Sequence, residues 1–143
     1  MKSRVFAVVL CLVTCMSSVV AMAQGDYGGG NSGPGGLTNA ATNRLVRTLN
    51  RGIKQCQSIE STHRYDCYRQ NYKSAAEQLD GNEAYAVPRQ ALRDIEQTLQ
   101  TIVARNADPN AKSVRQGGKT YQPVTWASTG KSKETFRRSL DAA

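Results

Sequence analysis

An all-α fold is predicted, a small antiparallel three-helix bundle with a disulfide-linked helical hairpin, a flexible Gly-rich N-terminal leader and an irregular basic C-terminal segment. Three observations predict it. Apolar residues recur at threes and fours in three stretches between Leu37 and Asn106, the spacing that gathers them on one helical face. Turn-forming residues separate those stretches, and Cys56 and Cys67 lie symmetrically about the turn at Ser61 and Thr62.

Residues 1–23 read as a secretory signal peptide. Lys2 and Arg4 supply the charged start, residues 5–13 an apolar run, and Ala21-Met22-Ala23 a small-x-small cleavage site. Cleavage after Ala23 predicts a periplasmic or secreted protein in an oxidising compartment. A retained anchor needs about 20 consecutive apolar residues, and Thr14, Ser17 and Ser18 break the run early. Lipidation of Cys15 is the other alternative, and Thr14 stands where a smaller residue suits that motif.

Residues 24–36 are dominated by glycine, which cannot recover its folding entropy, so they form a linker. The bundle domain spans residues 37–108. Its first helix carries Leu37, Ala41, Leu45, Leu49, Ile53 and Cys56 on one face, with Thr38 as N-cap. Gly52 interrupts it, which predicts a slight bend or a close helix contact. Ser61 or Thr62 is expected to cap a second helix carrying Tyr65, Tyr68, Tyr72, Ala75, Ala76 and Leu79, with Gly81 just past its end. The three tyrosines are expected to be core residues meeting the first helix. A third helix runs from Pro88 to Asn106, and Leu92, Ile95, Leu99, Ile102 and Val103 give it the cleanest apolar stripe in the chain.

In an antiparallel hairpin centred on Ser61 and Thr62, Cys56 meets Cys67, Leu49 lies near Ala75, and Leu45 lies near Leu79. Removing residues 1–23 takes away Cys11 and Cys15 and leaves that pair alone, so an oxidising compartment predicts one disulfide. Residues 109–143 show no helical period at first, and Val114, Tyr121 and Trp126 are expected either to lie along the bundle or to hang free. A short helix near the end is expected to take Ser132 as cap and turn Phe136 and Leu140 inward.

The chain has 19 basic and 11 acidic residues, a net charge of +8. Without Lys2 and Arg4 it is +6, with ten basic against nine acidic groups in residues 24–111 and seven against two in residues 112–143. The basicity is therefore mostly C-terminal, and this asymmetry points to an anionic partner. Lys119, Tyr121, Trp126, Lys131, Lys133, Arg137 and Arg138 are the candidate binding residues, because cations interleaved with aromatics suit membrane interfaces and anionic polymers. Arg44, Arg47, Arg51 and Lys54 form a second basic feature, a ridge along the first helix. Its simplest explanation is a solvated face balanced by Glu77, Asp80, Glu83, Asp94 and Glu96.

No catalytic constellation emerges. Gly118-Lys119-Thr120 and Gly130-Lys131-Ser132 lack the preceding glycine a phosphate-binding loop requires. His63 is the only histidine, with Asp66 one turn away but no nucleophile beside it. A zinc site is unsupported when two cysteines are oxidised. The sequence implies no cofactor and no metal. It predicts a non-enzymatic interaction module of a bacterial envelope, binding a protein partner or an anionic envelope component. The alternatives are a membrane- or lipopolysaccharide-associating protein acting through its C-terminal segment and, more remotely, an enzyme with an unrecognised site. An exported protein disfavours nucleic acid as the partner, and a thin aromatic core leaves self-association through the third helix open.

Overall fold

The computed structural model describes residues 36–143, so the expected signal peptide, Cys15 and all but the last residue of the Gly-rich linker lie outside the described residues. Helix α1 spans Asn39–Gln57 and opens as its sequence requires, with Thr38 Oγ1 accepting the Ala41 N–H at 3.1 Å. Helix α2 spans Arg64–Glu77, and α3 spans Ala86–Asn106, preceded by a 3₁₀ turn at Glu83–Tyr85. The chain is mostly helical and holds the Cys56–Cys67 disulfide, with its Cα atoms 5.5 Å apart.

Helix α2 begins at Arg64, and neither Ser61 nor Thr62 caps it. Residues 60–64 make a tight turn instead, with the His63 N–H donating to Glu60 O and the Arg64 N–H to Ser61 O. The Thr62 hydroxyl is used against His63 Nδ1 at 3.1 Å. Gly81 follows the helix at φ 76°, a conformation glycine adopts without strain. Tyr85 ties this region to the start of α1, its hydroxyl donating to Thr38 O at 3.0 Å.

The core gathers Leu45 of α1, Tyr72, Ala75 and Ala76 of α2, and Leu92, Ile95, Leu99, Ile102 and Val103 of α3. The stripe on α3 is thus spent inside the chain, where α3 packs on both α2 and the last helix. Gly52 lies where α1 packs tightly on α2: a Cβ there would overlap the Asn71 side chain, whose Nδ2 donates to Leu49 O at 3.3 Å. The close contact expected at Gly52 has this cause.

The C-terminal segment departs from the expected irregular chain. Strands β1 (Val114–Gln116) and β2 (Lys119–Tyr121) pair as an antiparallel hairpin. Gly117 and Gly118 at φ 60° and 79° supply the doubly left-handed turn that suits the twist of two-residue hairpins. Three backbone bonds then seat the segment: Val124 N–H to Thr62 O, Thr125 N–H to Asn106 O, and Asp108 N–H to Pro123 O, at 2.8–3.1 Å. Val124 and Tyr121 are buried, whereas Trp126 is 71% exposed. Of the residues expected to dock on the bundle, Tyr121 therefore does so and Trp126 does not.

A fourth helix, α4, spans Thr129–Asp141 and runs directly out of a 3₁₀ turn at Trp126–Ser128. Ser132, expected as its cap, is buried within it. The earlier start follows from Ser128 Oγ and Thr129 Oγ1, which donate to Thr125 O and Trp126 O and wind the chain into helix before Gly130. Phe136 packs against the core, but Leu140 faces solvent. Among the described residues no helix is long and apolar enough to cross a membrane.

Candidate binding groove

Two buried polar residues at the start of α2, His63 just before it and Asp66 in its first turn, hold the C-terminal segment in place. Asp66 Oδ1 accepts from Arg69 Nε at 2.7 Å, and Oδ2 accepts from Gln70 Nε2 at 3.2 Å and from the Gln122 N–H at 2.9 Å. His63 spends both ring nitrogens, Nδ1 against Thr62 Oγ1 and Nε2 against Lys112 O, each at 3.1 Å. The conceivable His63–Asp66 pair does not form, because each group is turned to a different part of residues 112–122. Tyr121 completes the attachment: it is 1% exposed, packed on the Cys56–Cys67 bond and Ile59, with its hydroxyl accepting from Gln55 Nε2 at 3.4 Å.

This anchoring creates a groove between the start of α2 and the start of α4. It encloses ≈ 390 Å³ and is lined by Ser61, Arg64, Tyr65 and Tyr68 on one side and Trp126, Thr129, Gly130, Lys133 and Phe136 on the other. The Tyr65 hydroxyl donates to Thr129 O at 2.7 Å, and the Tyr68 ring stacks on Phe136 with centroids 5.3 Å apart. Tyr65 and Tyr68, packed in core clusters that include residues of α1, thus also face α4, which offers their rings aromatic contact. Burial raises the pKa of both phenols, with the neighbouring Arg64 guanidinium opposing it, so the rings stay neutral through the ordinary pH range.

Electrostatically the groove is one-sided. Arg64 and Lys133 border it, and among the described residues no carboxylate does. Arg64 is fixed by its Nε, which donates to Ile59 O at 2.9 Å. Trp126 presents an exposed indole at the opening. A site of this kind can stack a ring against Trp126 while two cations and the Ser61 hydroxyl meet an anionic group.

The sequence-derived candidates do not form one patch. Trp126 and Lys133 line this groove, whereas Lys131 lines a second one of ≈ 420 Å³ between α3 and α4, with Arg105, Thr98 and Thr101. Lys119 sits on the hairpin, its Nζ donating to Ser74 Oγ at 3.5 Å. Arg137 and Arg138 are engaged with Glu134 at 2.9 and 3.1 Å, and Arg137 also with Asp141. These hydrogen bonds hold the Glu134 carboxyl down to about 2. Tyr121 is a core residue. Arg44, Arg47, Arg51 and Lys54 lie on the exposed face of α1, away from its core-facing Leu45 and Cys56.

Sequence spacing does not mark Arg64, Tyr65, Tyr68 or Phe136 as binding residues. The spacing of the tyrosines signalled a buried face, and nothing in a single chain announces that α4 returns to make that face one wall of a groove. Among the described residues no cluster of metal-ligating side chains occurs. Comparison with family models, curated proteins and solved structures finds no match for this chain.

Proposed function

We propose that this is an exported, non-enzymatic binding module of a bacterial envelope, and that it takes an anionic, ring-bearing envelope component in the groove between α2 and α4. The observation that carries the reading is the lining itself: an exposed Trp126, the Tyr68–Phe136 stack, Arg64 and Lys133, with no acid among them. A phosphorylated or acidic sugar, such as the head of a lipopolysaccharide, offers the complementary combination of ring face and charge. The non-enzymatic part rests on His63, whose two nitrogens are both committed to structural bonds. Export rests on residues 1–23 and on the disulfide, which suits an oxidising compartment.

The scaffold beneath the groove is best read as an antiparallel arrangement of α1, α2 and α3. Supporting this, the Cys56–Cys67, Asn71–Leu49 and Thr48–Gln78 bonds join residues at increasing distances on either side of the turn at residues 60–63, and the Arg93–Asp80 and Arg69–Gln100 bonds do the same for α2 and α3.

Calorimetric titration with lipopolysaccharide tests the reading. Lys133→Gln and Arg64→Gln should each weaken binding several-fold, and raised salt should weaken it further. Salt-independent binding of a protein ligand, unaffected by either substitution, would instead favour the alternative of a partner recognised through apolar surface.

A further inference from the structure

The outer face of α1 carries cations that no acid among the described residues neutralises. Arg44, Arg47, Arg51 and Lys54 are all exposed. Their spacing of three, four and three puts them in one row, over about 15 Å of helix axis at 1.5 Å per residue. Helix α1 contains no Asp or Glu. Among the described residues none of the four has an ion-pair partner within 4.0 Å.

The acids expected to balance the row are engaged elsewhere. Asp80 pairs with Arg93 at 2.6 Å, Glu83 with Arg89 at 3.7 Å and Glu96 with Arg69 at 3.8 Å. Asp94 accepts from Gln90 at 2.8 Å, and Glu77 borders a small cleft with Lys73 and Arg93. Like charges three and four residues apart repel one another. The row therefore costs stability and returns no ion pair among the described residues.

We propose that this face docks an extended polyanion, a phosphate-bearing linear polymer lying along the helix. Three of the four cations are arginines, whose planar forks meet phosphate oxygens two at a time. The row is one residue wide, and the exposed side chains beside it include Asn43 and Asn50, which hydrogen-bond to a polar chain. A helix that lies in a bilayer surface sets large apolar side chains opposite its cations. The core-facing side of α1 is instead covered by α2, and Val46 is the one large apolar side chain that α1 leaves exposed. This surface is independent of the groove between α2 and α4.

Inorganic polyphosphate, titrated against the purified protein from about 50 to 200 mM salt, is the test. Four contacts predict a slope of log affinity against log salt near −3, at about −0.7 per charge. Replacing all four residues by Gln should weaken binding at low salt by about tenfold or more and flatten the slope, with a melting temperature unchanged or raised. A control with Lys73, Arg105, Lys112 and Arg115 replaced by Gln loses the same charge and should retain most of the affinity. Equal losses in the two variants would overturn the proposal, as would absence of polyphosphate binding or binding confined to phosphatidylglycerol vesicles.

Discussion

Asp66 Oδ2 accepts the backbone N–H of Gln122 at 2.9 Å from a position in α2 that is 2% exposed. The bond joins residues 56 apart in sequence and makes a buried carboxylate the clasp of the C-terminal segment. Its other oxygen is held by Arg69, so the charge is compensated where it lies. Asp66→Ala should cost about 2–4 kcal/mol, since it strands the Gln122 amide and an Arg69 guanidinium that is only partly solvated. Urea unfolding measures the loss, and faster hydrogen exchange at Gln122 and Val124 would show that the segment is what loosens.

The disulfide predicts a second effect in the same region. Opening it by Cys56→Ala should destabilise the protein by about 2–3 kcal/mol for a loop of this length, or about 10–20 °C in melting temperature for a domain of this size. Tyr121 packs directly on the bond, so its ring resonances should broaden as well. A melting temperature equal to that of the unaltered protein would contradict the role given to the hairpin.

Gly52→Ala runs against helix propensity. Alanine is favoured by up to about 1 kcal/mol in a helix interior, yet the added methyl overlaps Asn71 and breaks its bond to Leu49 O. We expect net destabilisation of about 1–3 kcal/mol. Shortening the partner in Gly52→Ala/Asn71→Ser should recover part of it in thermal melts.

These positions also show what the chain made legible. Helical periods, the Thr38 cap, Gly81 and the cysteine pairing are local signals, and each corresponds to an observed element. The Gly117-Gly118 turn and the hydroxyl bonds that start α4 early are local as well, but they leave no periodicity in a sequence. The seating of the segment and the groove are not local: they depend on Asp66 and His63 reaching to residues 112–122. The C-terminal cations illustrate the same limit. Their number is evident, but Arg137 and Arg138 are occupied by Glu134 three and four residues earlier, while Lys131 and Lys133 line different grooves because two residues along a helix turn a side chain through about 200°.

Acid should loosen α4 selectively. Glu134 has a folded-state pKa of about 2, below the ordinary 4.5, because Arg137 and Arg138 donate to it. Its contribution is therefore complete above about pH 4.5 and is lost as pH falls toward 2. The effect is small for so exposed a group. Backbone chemical shifts of residues 134–141 should drift toward coil values over that window, and in Glu134→Gln they should lie closer to coil at neutral pH and stay flat on acidification.

The central claim, that the groove between α2 and α4 holds an anionic ligand, is tested most directly by the emission of Trp126, the only tryptophan in the chain. The indole is exposed, so the free protein should emit at long wavelength. Titration with lipopolysaccharide at low salt should shift the emission to the blue, high salt should reverse the shift, and Lys133→Gln should weaken it. A spectrum unchanged by saturating lipopolysaccharide or anionic vesicles, or already blue-shifted before any addition, would contradict it.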